Sequence, residues 1–264
     1  MPDIPLFRLD GRVVLVVGAA SGIGEAVAHA CASQGAVVVA ADVNAAGAEA
    51  AASAVCSAGG QAEARVLDIR DAAAVEASFD EVVGRWGRLD GVVSTPSINV
   101  RKPILGYAAE EFDRVLSVNL KGTFHVLRAA GRIMTARRRG SIVLFSSIRA
   151  QVVEPGQSAY AATKAAILQM ARTAAAEFGP AGVRVNAVAP GVTETPLTAP
   201  IKAHGDWYAA YAAKTVFNRW ATADEIAGPT VFLLCDAASY VTGTLLVVDG
   251  GWLAADGRFQ PPGM

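Results

Sequence analysis

Cysteine is scarce in this chain of 264 residues: Cys31, Cys56 and Cys235 form an odd set with no CxxC spacing. That excludes a disulfide framework and a zinc knuckle, leaves no metal site expected, and fits a reducing compartment. Aromatic residues amount to only 7% against 53% hydrophobic overall, so the core of a well-filled domain has to come from Ala, Val and other small side chains that pack helices onto a sheet. Neither sign of charge prevails, with 23 basic and 24 acidic residues. No general field draws the chain to nucleic acid or anionic lipid, and a small molecule is the expected partner. No stretch approaches the roughly eighteen apolar residues that span a bilayer. Met1-Pro2-Asp3-Ile4-Pro5 has neither the basic nor the apolar part of a targeting segment, so a cytoplasmic location is expected. Linkers rich in Pro and Ser, low-complexity blocks and repeats of about 20 to 50 residues are missing too, which makes residues 1–264 one domain.

What the chain does have is an alternation of short β-branched runs with longer Ala-rich segments of helical period, the pattern of βαβ units and a parallel sheet. Strands are expected over Val13 to Val17, Val37 to Ala41, Ala64 to Leu67, Gly91 to Val93, Ser141 to Phe145, Arg184 to Val188 and Leu245 to Val248. Several lack polar alternation, as strands covered on both faces do. Helices are expected to begin near Gly22, Ala45, Ala72, Ala109, Ser158 and Ala223, with Asn44, Asp71 and Thr222 placed to cap three of them. Residues 193–219 lack strand character, carry Pro196, Pro200 and Gly205, and follow a strand. They sit where α/β sheets bind ligands and suit a lid.

Directly after the first strand comes Gly18-Ala19-Ala20-Ser21-Gly22-Ile23-Gly24, opening into a helix. Glycines there let backbone N–H groups approach a pyrophosphate, and the helix start adds roughly half a positive charge. The second strand ends at Asp42, where a dinucleotide fold uses an acidic residue to hold the adenosine ribose. Asp42 would repel a 2′-phosphate, and Ala19, Ala20 and Ser21 offer no cation to hold one, so NAD is expected over NADP. A plainer role for Asp42 is to start the turn before the Asn44 cap. Asp68, with Ile69 beside it, is a candidate for the adenine edge or for capping the next helix.

Tyr160 and Lys164 lie four apart on one helix face. A phenol of pKa near 10 becomes a usable base when a neighbouring ammonium favours phenolate. Ser147, at the end of the preceding strand, is placed to hydrogen-bond a substrate oxygen beside it.

Together, Gly18-x-x-x-Gly22-Ile23-Gly24, Asn119 in Val-Asn-Leu-Lys-Gly, Ser146-Ser147, Tyr160-x-x-x-Lys164, Asn186-Ala-Val-Ala-Pro190-Gly191 and Asp249-Gly250-Gly251 resemble the short-chain dehydrogenase/reductases, in that family's order and spacing. The resemblance runs from about Leu9 to Trp252. It implies a doubly wound Rossmann-like α/β fold, a seven-stranded parallel sheet flanked by helices, usually assembled as a homotetramer. It also implies an NAD(P)-dependent oxidoreductase with Tyr160 as acid/base, Ser147 orienting the substrate and Asn119 holding a relay water. Lys164 would bind the nicotinamide ribose and lower the pKa of Tyr160, while Pro190, Gly191, Val192 and Thr193 would meet the nicotinamide end. Two departures stand out. Where the family has Asn-Asn-Ala-Gly after the fourth strand, near the cofactor, this chain has Ser94-Thr95-Pro96-Ser97, and Val17 replaces the usual Thr before the glycine turn. In the family that Thr supports the Asn-rich turn, so the two losses suit a matched change.

Loops after strands four, five and six should face the substrate, which puts Arg101, Arg149, Glu154, Gln157 and Trp207 in view. Arg149 or Arg101 is a candidate for an anionic group or sugar hydroxyls. Arg137-Arg138-Arg139 reads as a basic helix end, and His29 and His125 lack metal-ligand spacing. The tail from Ala254 to Met264, with Phe259 and Pro261-Pro262, is either an interface strap or a frayed end. The expected activity is hydride transfer between a secondary alcohol, such as a polyol, sugar or sugar acid, and NAD. A 3-oxoacyl-carrier-protein reductase and a non-catalytic dinucleotide sensor are the competing readings.

Overall fold

Period-two alternation along a strand decides which layer each side chain joins. In β1 (Val13–Val17), whose five residues are all buried, Val13, Leu15 and Val17 join one hydrophobic cluster and Val14 and Val16 the other. The computed structural model describes residues 6–255. Six further strands lie parallel with β1: β2 (Val37–Asp42), β3 (Gln61–Val66), β4 (Gly91–Ser94), β5 (Gly140–Phe145), β6 (Val183–Pro190) and β7 (Leu245–Val248). Their spatial order is β3-β2-β1-β4-β5-β6-β7. The chain therefore reverses its direction of growth beside β1, between β2 and β4, and opens a crevice at their carboxyl ends.

Helices cover both faces. On one side α3 (Ala72–Trp86), α5 (Thr123–Arg137) and α6 (Ser158–Phe178) pack through Phe79, Met134 and Ile167. On the other, α1 (Gly22–Ser33), α2 (Ala45–Ser57) and α9 (Ala223–Leu234) pack through Val27, Ala52 and Ile226. All six expected helix starts are present. Asn44 accepts from the Gly47 amide, and Asp71 accepts from Ala73 and Ala74. At Thr222 the cap is reversed in direction, with Glu225 accepting from the Thr222 amide.

Three differences have physical causes. Strand β3 begins three residues before the apolar run because it is an edge strand, and its Gln61, Glu63 and Arg65 sit beside solvent in an Arg65–Glu63 ion pair. The helix expected from Ala109 is two helices: α4 (Ala109–Leu116) meets α5 through a wide i→i+5 turn at Ser117–Gly122. Residues 193–219, expected only to lack strand character, are partly helical. They contain α7 (Ala199–Lys202) and α8 (Gly205–Ala212) around a small core of Val192, Ile201, Tyr211 and Trp220, with Tyr208 stacked on Trp220 at 4.8 Å between ring centroids. Arg137 closes α5 and donates to the Gly87 carbonyl, so the basic run serves as a helix end. The tail residues Phe259 and Pro261-Pro262 lie outside the described residues.

Phe79 is fully buried under the sheet. Phe79→Ala is expected to lower unfolding free energy by about 3–5 kcal/mol in urea titration, without changing dinucleotide affinity once folded.

Candidate active site

A cleft of about 450 Å³ runs along the carboxyl ends of β1, β2 and β4. Its floor is the turn from Gly18 to Gly24. Gly18 has φ +87°, and Gly22 has φ +57° with Thr195 so close that a Cβ would sit 3.3 Å from it. At Gly24 a Cβ would fall 1.9 Å from the Gly18 carbonyl oxygen, so any side chain there forces the turn open. No side chain caps the start of α1. Its first-turn N–H groups at Ser21, Gly22 and Ile23 thus face the cleft as anion donors, which is the chemistry a pyrophosphate requires.

Asp42 lines the same cleft. Its carboxylate also does the plainer work expected of it, accepting from the amides of Ala20 and Asn44 at 3.0 and 2.9 Å. Each oxygen thus accepts one backbone hydrogen bond and keeps capacity for another. Asp68 and Ile69 line the adjacent wall. The cap belongs to Asp71, while the Asp68 carboxylate is paired with Arg70 at 2.6 Å, which holds its pKa below the usual carboxylate range. His125 anchors this wall through its Nδ1, 2.8 Å from the Ile69 carbonyl.

The replaced family turn is supported from the opposite side. Thr95 Oγ1 donates to the Val17 carbonyl at 3.0 Å and reaches the Gly18 carbonyl at 3.3 Å. A hydroxyl from position 95 thus ties the loop after β4 to the start of the glycine turn. Ser94 itself ends β4 with its hydroxyl buried and unpartnered, so the cleft wall starts one residue later, at Thr95, Pro96 and Ser97.

At the inner end of the cleft, two hydrogen bonds clasp α6 to the end of β5. Lys164 Nζ donates to the Phe145 carbonyl and Ser146 Oγ donates to the Lys164 carbonyl, each at 2.8 Å. Lys164 is 2% exposed, and burial pushes its pKa down to about 7. Its Nζ lies 5.4 Å from the centre of the Tyr160 ring. Burial likewise raises the Tyr160 phenol, opposed by the Ser147 hydroxyl, the charges of Arg149 and Arg101, and the Ser97 hydroxyl. In the free protein the loss of water outweighs these lowering influences. The help comes from two hydroxyls and two guanidinium groups that spacing on a helix does not reveal.

Asn119, fully buried in the wide turn, donates from Nδ2 to the Ile98 carbonyl and to Thr163 Oγ1, and accepts the Ile98 amide at 2.8 Å. Thr163 donates in turn to the Tyr160 carbonyl. The side chain expected to hold a water is therefore spent largely on pinning the loop after β4 to α6.

Of the substrate candidates, Ser147 accepts the Arg149 amide at 3.1 Å, which leaves its proton free to donate. Arg149 is not a free cation. It is 8% exposed, paired with Glu154 at 2.6 Å and stacked on Trp252 at 5.4 Å. Gln157 and Tyr211 donate to the same carboxylate, and Arg101 stands 3.6 Å from it over the Trp207 ring. Pro190 ends β6, and Val192 and Thr193 are buried behind Gly191. The part of this segment that lines the cleft is Thr195, Pro196 and Leu197, within the residues 193–219 expected to cover a ligand.

A glycine turn backed by a helix start, an acidic residue at the end of β2 and a Ser–Tyr–Lys set over β5 define an oxidoreductase built around a dinucleotide. The chain belongs to the short-chain dehydrogenase/reductase family, since a family model described as Enoyl-(Acyl carrier protein) reductase matches residues 18–253. It is similar to D-threitol dehydrogenase of Mycolicibacterium smegmatis, 40% identical over 250 residues that cover 93% of this chain and 94% of that one. It is also similar to 3-oxoacyl-[acyl-carrier-protein] reductase of Thermotoga maritima, 36% identical over 244 residues, covering 92% and 98%. Among solved structures, a gluconate 5-dehydrogenase from Burkholderia cenocepacia in complex with NADP and tartrate superposes with a TM-score of 0.92 at 33% identity, covering 95% of this chain and 98% of that one.

Lys164 binds a proton more weakly when folded, about 7 against an ordinary 10.5. Between those values the unfolded chain holds the extra proton, so stability rises with pH, by up to about 1.4 kcal/mol per unit. Measured by urea unfolding, wild type should gain on Lys164→Met between pH 7 and about pH 9. A pH-independent difference would contradict the buried, weakly basic amine.

Proposed function

We propose that the protein oxidises a secondary alcohol of a polyol, sugar or sugar acid with NAD, with Tyr160 as the base. The observation that carries this reading is the pair of hydrogen bonds that clasps the helix of Tyr160 and Lys164 to the strand end preceding Ser147, beside Phe145, which lines the glycine-floored cleft. Bound at the cleft, the dinucleotide would supply a nicotinamide ring that accepts hydride. Gly18, Ser21, Gly22, Ile23 and Gly24 would hold its pyrophosphate, Asp42 its adenosine ribose, and Asp68 with Ile69 its adenine edge. Lys164 and the residues after Pro190 would meet its nicotinamide end.

Ser147 donates to the alcohol oxygen and sets its distance from the phenol. Tyr160 takes the hydroxyl proton as the carbinol C–H bond breaks. The buried Lys164 passes the proton on, and the free lone pair of Asn119 Oδ1 is the place for a relay water. NAD is supported by Asp42 and by the lack of a basic side chain at positions 19–21. Among the described residues lining the cleft, the one cation, Arg70, is engaged by Asp68. The polyol and sugar-acid reading is supported by the threitol and gluconate dehydrogenases among its relatives. A homotetramer is supported by the family resemblance and by Phe112 and Phe124, exposed on α4 and α5. A cytoplasmic setting is supported by Cys31 and Cys235, both buried and free. Among the described residues, no helix is long and apolar enough to cross a membrane.

The test is an NAD-linked absorbance screen over polyols, aldonic acids, hydroxy acids and cyclic diols, with NADP in parallel. Turnover with NAD should climb toward alkaline pH, because the phenol's pKa is raised by burial, and Tyr160→Phe should cut it by about 10²–10⁴. Asp42→Asn should narrow the NAD-over-NADP preference. A strong NADP preference in the wild type would overturn the role of Asp42, and reduction of a 3-oxoacyl thioester in place of alcohol oxidation would favour the carrier-protein reading. Unchanged turnover in Tyr160→Phe would remove the mechanism.

A further inference from the structure

The direction of every hydrogen bond in the wall beyond Tyr160 is set by one carboxylate. Glu154 can only accept. It receives Arg149 and the Tyr211 hydroxyl, and so Gln157 must turn its NH2 toward it. The Gln157 carbonyl oxygen then faces Asn99, which in turn must present its own NH2, at 3.0 Å. Asn99 Oδ1 is left over, buried and without a donor. A flip of either amide would set oxygen against oxygen, so this polarity is not interchangeable.

An unpartnered buried acceptor costs about 1–3 kcal/mol, and its position explains why it is kept. Asn99 lies two residues beyond Ser97, which lines the cleft and whose hydroxyl acts on the Tyr160 phenol. Ile98 between them is clamped through both its amide and its carbonyl by Asn119, so the wall is rigid. Gln157, which orients Asn99, sits at the N-cap of the helix that carries Tyr160, three residues before it. The wall that brings Ser97 to the phenol therefore also holds, two residues on, an acceptor that lacks a donor.

We propose that Asn99 Oδ1, with Ser97 beside it, forms a subsite for a substrate hydroxyl on a carbon next to, or one beyond, the carbinol that Tyr160 deprotonates. The substrate is then a polyol stretch of a sugar alcohol or sugar acid. It is not a simple alcohol, nor a 3-hydroxyacyl thioester, whose carbonyl at that distance offers only another acceptor. This inference rests on the dehydrogenase reading above and sharpens its substrate class.

The experiment compares tetritols, pentitols and hexitols with 2-alkanols of the same chain length as reductants of the dinucleotide, in wild type, Asn99→Leu and Gln157→Met. Asn99→Leu removes the acceptor at nearly constant shape, and Gln157→Met frees the Asn99 amide to turn. In the wild type the best polyol should exceed its matched 2-alkanol in kcat/KM by about a hundredfold or more. Asn99→Leu should lower kcat/KM for the polyol by about ten- to a hundredfold while leaving the 2-alkanol within about twofold. Gln157→Met should lower it in the same selective sense. Thermal unfolding of each variant at or above the wild-type midpoint separates this loss from misfolding. Equal losses for both substrate types, or no loss for the polyol, would overturn the subsite. A wild type that oxidises 2-alkanols as well as polyols would overturn it while leaving the dehydrogenase reading intact. A wild type that oxidises neither would remove that reading and the subsite with it.

Discussion

A lysine ammonium buried against a backbone carbonyl holds this molecule's chemistry in place. Lys164 reaches the Phe145 carbonyl, and Ser146 answers by donating to the Lys164 carbonyl. One pair of bonds thus joins a strand end to a helix middle in both directions. The strand is interior to a seven-stranded sheet and the helix is long, so neither end of the clasp has freedom to drift. Tyr160 is one turn away on the same face. Its position relative to the glycine turn therefore follows from sheet register and not from loop conformation.

The second layer of support is polar and just as economical. Asn119 ties the loop after β4 to the helix carrying Tyr160, Thr95 ties the same loop to the glycine turn, and Glu154 sets the direction of the amides beyond it. Each of these groups is buried or nearly so, and each has most of its bonding capacity filled. Among the described residues, buried side-chain atoms without a partner include Ser94 Oγ and Asn99 Oδ1, at the end of β4 and in the loop after it, and Ser78 Oγ and Trp86 Nε1 on α3.

Much of this was legible in the sequence because it depends on period and position. Strands such as Val13–Val17 are read from unbroken β-branched runs, helix starts from Asn44 and Asp71, and the phosphate turn from glycines following a strand. Strand β3 was misplaced because an edge strand with Glu63 and Arg65 carries no apolar signature. The wide turn at Asn119 was invisible because one extra residue in a helix leaves composition unchanged. Arg149 looked like a free cation in a loop, and only packing reveals that Glu154, Tyr211 and Trp252 enclose it. The Tyr160–Lys164 spacing was read correctly as a shared face. The net effect on the phenol depends on how much water each group loses, which no spacing encodes.

The wide turn at Ser117–Gly122 also constrains how the chain can vary in length. Adding or removing one residue in a helix rotates everything after it by about 100°. Val126, Ala130, Ile133 and Met134 would then leave the sheet they now cover, and the bulge presenting Asn119 would vanish or double. Related chains should therefore tolerate gaps at the tips between strands and helices, yet keep a constant residue count from Ala109 to Arg137.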